Sequence, residues 1–403
     1  MKRLPVRAAD VRGYGRLAVD ATLGLTGLVE TLHHNILRTP GVFGTATQAP
    51  TRGITGLVYR TIRGVTRLVG GSIDALLGQL TPLVGSAGSS SPEREAVLAA
   101  LNGVIGDHLA HSGNPLAISM HFRRDGVALE PKRDALAKSI PDAGGRILLL
   151  IHGLCMSDLQ WTRHGHNHGV ALASDAGFTP IYLHYNSGLD VATNGRALDA
   201  ELEALLREWP VPVKELAVIG FSMGGLLIRS ACECAQRTQH GWLSYLRSIV
   251  FIGTPHHGAP LERGGSWIDS VLESSPYTTA FARLGKLRSA GITDLRHGNV
   301  SADASDGGEG KARTRTKPPA VPLPAGVDCY AIAASLAKKR GRLSERLLGD
   351  GLVPLSSALG IDEDPGRTLG IPPARQWIGY GMSHLALLDR REVYERIRNW
   401  LVS

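Results

Sequence analysis

Cysteine is scarce in this chain. Cys155, Cys232, Cys234 and Cys329 are the only four in 403 residues, too few and too scattered for a disulfide framework. Cys232 and Cys234, two apart on an expected helix, face different directions, and Cys155 and Cys329 read as small core residues. No apolar run reaches the ~18 residues that a membrane-spanning helix requires. An N-terminal leader is not expected either, because Arg7, Asp10, Arg12 and Arg16 break up any apolar stretch behind Met1-Lys2-Arg3. These absences fit a reducing compartment, so the expected location is cytoplasmic, with peripheral membrane contact left open. No excess of one charge sign runs over most of the length. The net charge is +8, yet residues 1–80 alone hold ten Lys/Arg against four Asp/Glu. A basic footprint for nucleic acid would have to lie in that segment, and no zinc-finger, homeodomain or RNA-recognition signature supports one. Nucleic acid is therefore not an expected partner.

The chain does hold 43% hydrophobic residues, enough for a full catalytic core with about 100 residues to spare. Its most informative stretch is Gly220-Phe221-Ser222-Met223-Gly224. Glu215 to Ile219 before it reads as a buried strand, and Gly225 to Ala231 after it reads as a helix. A strand that turns into a helix at G-x-S-x-G is a nucleophile elbow. The flanking glycines leave room for a backbone too tight for a Cβ. Such a serine needs a base, and the base needs an acid. Chain order Ser, acid, His narrows the fifteen histidines to His384, which follows the last expected strand, Gln376 to Tyr380. The acid is expected beyond the strand Val327 to Ala333. Asp350, in the turn Gly349-Asp350-Gly351, fits best. Asp328 lies within the strand, and Glu345 sits in a basic run that suggests a surface ion pair. An oxyanion hole would use the N–H of Met223 and, after the apolar strand Arg146 to Ile151, that of Leu154. His152 is expected to bond the loop backbone rather than take part in the reaction.

Together with Gly253-Thr254-Pro255-His256-His257-Gly258 and Asp350-Gly351-Leu352-Val353-Pro354, these motifs resemble the α/β-hydrolase superfamily. Within it the chain is similar to bacterial triacylglycerol lipases and GPI-inositol-deacylase-like serine esterases. The resemblance covers about residues 115 to 403. It implies a mostly parallel sheet with helices on both faces, a Ser222–Asp350–His384 triad and a lipid or small-molecule ester substrate. Several secreted lipases of the group carry a calcium ligand two residues beyond the catalytic histidine. Here that position is Ala386, so neither a metal nor any other cofactor is expected.

Three regions follow from the pattern along the chain. Residues 1–85 form an amphipathic helical segment: Leu17, Ala21, Leu25, Leu28, Leu32 and Ile36, then Val58, Ile62, Val65, Val69, Ile73, Leu76 and Leu80, recur at helical spacing. Arg60, Arg63 and Arg67 line the opposite face, so residues 16–80 suit a membrane interface or packing on protein. Residues 86–112 read as a Gly/Ser linker and a helix, and residues 113–403 as the α/β-hydrolase domain, opening on a hairpin around Arg124-Asp125-Gly126. Residues 258–298 are expected to cap the serine and residues 301–326 to be disordered. His164, His166 and His168 alternate as metal ligands can, but no carboxylate or cysteine stands at ligand spacing, so they read as a polar loop rimming the site. Two other functions share this sequence pattern: an acyltransferase using the same triad, and a non-catalytic membrane- or partner-binding module on a hydrolase fold.

Overall fold

The computed structural model describes residues 12–20, 92–259, 289–301, 321–338 and 349–402. The remaining helical positions of 1–85, the Gly/Ser linker, and most of the expected cap and of the 301–326 insertion lie outside the described residues, as does Glu345. The chain divides into two compact units, residues 1–94 with 111–117, and residues 95–110 with 118–403. In the first, helix α1 (residues 12–20) is tied to the 111–117 stretch. Arg16 donates to the Gly113 carbonyl (2.7 Å) and Asn114 Nδ2 to that of Gly13 (3.1 Å).

The second unit is built on an eight-stranded sheet. Its strands are β1 (His121–Arg124), β2 (Val127–Ala128), β3 (Arg146–Ile151), β4 (Thr179–His184), β5 (Glu215–Phe221), β6 (Leu246–Ile252), β7 (Asp328–Ser335) and β8 (Gln376–Tyr380). The spatial order is β2-β1-β4-β3-β5-β6-β7-β8. β1 pairs antiparallel with β2 and β4, and every other pairing is parallel. The hairpin turn uses positive φ at Asp125 (52°) and Gly126 (76°), the backbone a tight two-residue turn demands.

Parallel strands buried on both faces read as continuous apolar runs, and the register sorts them. Ile147, Leu149 and Ile151 of β3 join one core with Leu216 and Val218 of β5, while Leu148 and Leu150 join the other with Ala217 and Ile219. Helices α5 (Val191–Arg207) and α6 (Met223–Thr238) cover the first face through Leu198, Leu202, Leu227 and Ile228. Helices α4 (His168–Ala176) and α9 (Arg391–Val402) cover the second through Leu172, Val393, Ile397 and Leu401. The other helices are α2 (Pro92–His111), α3 (Arg133–Ser139), α7 (Ala290–His297) and α8 (Leu355–Ala358). This arrangement is the α/β-hydrolase fold expected from the sequence. Among the described residues, no helix is long and apolar enough to cross a membrane.

Two element boundaries rest on polar contacts. α5 begins at Val191, because Asp190 caps it through the Thr193 N–H, a polar start that apolar spacing cannot show. The C-terminal helical stretch is broken. A 3₁₀ turn covers His384–Leu388, Asp389 leaves helical geometry, and α9 starts at Arg391. Arg163 (3.1 Å) and His164 both hold the Asp389 carboxylate, an anchor that outweighs local propensity.

β3 lies in mid-sheet and the Leu149 side chain is fully buried. Leu149→Ala is therefore expected to destabilise the fold by about 2–5 kcal/mol, measured as a fall in the urea midpoint with unchanged slope. A loss under about 1 kcal/mol would contradict this packing.

Candidate active site

In strand order, the chain leaves β3 for β4 on one side and then returns to β5 on the other. The carboxyl ends at such a switch leave a crevice between diverging loops. The loop after β3 and the elbow after β5 meet there because Ile151 pairs with Gly220. Ser222 has φ 52° and ψ −120°, strained for a residue with a Cβ. Close backbone approach holds it there. A Cβ at Gly220 would lie 2.7 Å from the Gly225 Cα, and one at Gly224 would fall on the Ile151 carbonyl oxygen. The Ser222 N–H is bonded to the Ile252 carbonyl (2.8 Å), and its side chain makes no capping bond to α6. The hydroxyl is thus uncommitted to its own helix, and Met223 opens the helix N-terminus.

Asp350 and His384, 34 residues apart, are joined twice. His384 Nδ1–H donates to Asp350 Oδ2 (2.6 Å), and the His384 backbone N–H donates to the Asp350 carbonyl (3.1 Å). The other carboxylate oxygen, Oδ1, accepts the N–H groups of Leu352 (2.9 Å) and Val353 (2.8 Å). With Nδ1 as donor, Nε2 is left as the basic nitrogen of the neutral ring. The imidazole packs on Phe221, the residue before Ser222, with ring centroids 4.8 Å apart. A Cβ at Gly253, which follows Ile252, would lie 2.8 Å from its Cε1. Ser222 and the Asp350–His384 pair therefore occupy one rim of the sheet. The competing acid Asp328 opens β7 at the other end of that strand and pairs with Arg375 (2.6 Å).

The loop after β3 lies against the elbow: a Cβ at Gly153 would sit 3.1 Å from the Ser222 Cβ. His152 does bond this loop, through Nδ1 to the Gly153 carbonyl (2.8 Å), and the Tyr185 hydroxyl donates to the His152 carbonyl (2.9 Å). In a trans peptide C=O and N–H point oppositely, so turning the Gly153 carbonyl toward His152 turns the Leu154 N–H away from it. Leu154 and Met223 share one apolar cluster with Val104, Val191, Ile292 and Leu295.

Sequence reasoning missed a buried polar network behind this loop. Arg123 of β1 bridges Glu95 of α2 (2.9 Å) and Asp158 (3.0 Å), and His184 stands 3.5 Å from Asp158. No local motif joins these four elements. Arg229 is also unforeseen: buried on α6, it donates to the Val321 carbonyl (2.7 Å) and contacts His256 Nδ1 (3.3 Å). Burial lowers the Arg229 pKa to about 10 and, with the Arg229 charge beside it, holds His256 well below the usual histidine range. His256 is thus a buried partner of α6. Of the alternating histidines, His166 bonds His168 (2.8 Å), which bonds the Leu387 carbonyl (3.0 Å). These nitrogens tie the loop to the segment carrying His384. Among the described residues, no three His, Cys, Asp or Glu are grouped to hold a metal ion.

Residues 120–295 match a family model described as a domain of unknown function, DUF7379. No curated protein matches the chain. Among solved structures, a Bacillus licheniformis lipase in its mature form is similar at 16% identity over 64% of this chain and 91% of that chain, with a TM-score of 0.39. A Pyrococcus furiosus esterase is similar at 14% identity over 64% and 82%, with a TM-score of 0.40. Aspergillus fumigatus lipase B is similar at 13% identity over 70% and 55%, with a TM-score of 0.37. Likenesses this distant carry no weight for the chemistry.

Burial lowers the pKa of His152 to about 3 and those of His121 and His168 to about 4. Between pH 6.5 and about 4 the unfolded chain takes up protons that these folded imidazoles refuse, so stability is full above that window and falls as pH drops through it. Urea midpoints measured from pH 7 to 4 are expected to decline accordingly, and a flat profile would contradict the burial of these rings.

Proposed function

We propose that this chain is a serine carboxylester hydrolase acting on apolar acyl esters through Ser222, His384 and Asp350. The observation that carries the reading is a strained serine on the rim of the sheet, whose neighbour Phe221 packs on an imidazole with Nδ1 already committed to a carboxylate. His384 Nε2 takes the Ser222 proton as Oγ attacks the acyl carbonyl, and the imidazolium is stabilised by Asp350. The N–H groups of Met223 and Leu154 hold the oxyanion that forms. The imidazolium then passes its proton to the leaving alcohol, and water, deprotonated by the same ring, releases the acid from the acyl-enzyme. An apolar acyl group is favoured by the side chains around the two donors, Val104, Val191, Ile292 and Leu295. Contact of residues 16–80 with a membrane surface remains part of the proposal, as a route to lipid esters.

Two measurements test it. A fluorophosphonate probe is expected to label the wild-type protein and not Ser222→Ala; a folded wild-type protein that stays unlabelled would favour a binding module. On p-nitrophenyl esters of rising chain length, turnover is expected with Asp350→Asn lowering kcat about 10⁴-fold. A variant retaining wild-type kcat would remove Asp350 from the mechanism. Ester product formed on adding an alcohol acceptor would shift the reading to acyl transfer.

A further inference from the structure

The 153–155 loop is held between two surfaces. On one side Gly153 meets Ser222. On the other, the Glu95–Ala110 stretch of α2 lies against Cys155. A Cβ at Gly103 would fall on Cys155 Sγ and come within 2.9 Å of both its Cα and its N. Only a residue without a side chain lets the helix backbone come this close. Cys155 itself has φ 59°, an unfavourable conformation for a non-glycine residue that persists only where surroundings enforce it. Its N–H is fixed to Ser187 Oγ (3.0 Å). The helix is in turn pinned to the body. Ser289 Oγ donates to the Gly103 carbonyl (2.7 Å), Asn186 Nδ2 to the Gly106 carbonyl (2.8 Å), and the Ala290 N–H to Asp107 (2.8 Å). These bonds fall around a break in the helix at Ile105, with φ −136° and ψ 24°.

We propose that α2 is a positioning element of the active site: Gly103, pressed on Cys155, fixes the loop that aims the Leu154 N–H. Resting on the esterase reading above, this places a helix from outside the expected hydrolase domain in the support of its oxyanion hole. Val104, next to Gly103, packs in the same cluster as Leu154 and Met223, so the helix bears on both donor residues. A Cβ at position 103 pushes the Cys155 backbone, and with it the neighbouring Leu154 peptide, toward the serine. The displaced donor then fits the oxyanion less well, with little change to the bound ester.

Gly103→Ala is expected to lower kcat on a soluble short ester about 10- to 100-fold with KM little changed. It should weaken a trifluoromethyl ketone, which adds to the serine as a tetrahedral oxyanion, by a similar factor. Cys155→Gly in the same chain removes Sγ and the φ strain, and should restore part of the loss. Ser187→Ala, which adds no bulk and frees the Cys155 N–H, should also lower kcat. Gly145→Ala is the stability control, since it crowds Pro212 before β3, at the far end of the strands; it should lower Tm while leaving kcat unchanged. Unchanged kcat in both Gly103→Ala and Ser187→Ala, or a kcat loss in Gly145→Ala as large as theirs at an equal fall in Tm, would overturn the role of α2 while the esterase reading stood. A wild-type protein inert to both ester and fluorophosphonate would overturn both.

Discussion

The crowding of backbone where β5 turns into α6 is the constraint on which the site depends. Without glycine at 220 and 224 the turn would meet Gly225 and the Ile151 carbonyl, and Ser222 could not keep its strained geometry. Gly224 against Ile151 also brings the end of β3 up to the elbow, so one close approach sets both the serine and the loop beside it. Strain of this kind costs on the order of 1–3 kcal/mol. The β3–β5–β6 core offsets it, with the bond from the Ser222 N–H to Ile252 as its direct anchor. Electrostatic stabilisation of a transition state needs groups that do not reorganise during reaction. Rigid packing around the elbow supplies that condition.

The Asp350–His384 pair is locked with the same redundancy. Side chain and main chain of His384 both bond Asp350, and the carboxylate accepts two further N–H groups. Rotation of the Asp350 side chain would break three bonds together, so the carboxylate is fixed and holds the ring in one tautomer with Nε2 available. Pre-organisation here comes from connectivity between two loops that follow β7 and β8, which lie side by side. The same segment is tethered at its far end, where Arg163 and His164 hold Asp389.

Much of this was legible in the sequence because the signals are local. Buried parallel strands announce themselves as apolar runs, so β3 and β8 were placed to the residue and β5 to within two. The elbow needs glycine at fixed offsets from Ser222, and Asp350 stands in a Gly-flanked turn after a strand. Other features depend on partners far along the chain. The start of α5 rests on a polar cap at Asp190, and the break before α9 rests on Arg163 and His164, more than 200 residues away. Arg123, Glu95 and Asp158 look like ordinary surface charges until the fold gathers them behind the loop after β3. Gly103 looks like a defect in a helix until Cys155 is seen against it. Spacing reads what one element does by itself, and tertiary contacts decide the rest.

The central claim is that, when Ser222 Oγ adds to an acyl carbonyl, the tetrahedral oxyanion lies between the N–H groups of Leu154 and Met223 while His384 stays on Asp350. A crystal structure of the protein after reaction with a long-chain alkyl phosphonate measures this directly. The account predicts phosphorus bonded to Ser222 Oγ, its oxygen within about 3 Å of both nitrogens, and the alkyl chain against Val104, Ile292 and Leu295. Phosphorus on another side chain, or a phosphonyl oxygen turned to solvent with the Leu154 N–H pointing elsewhere, would contradict it.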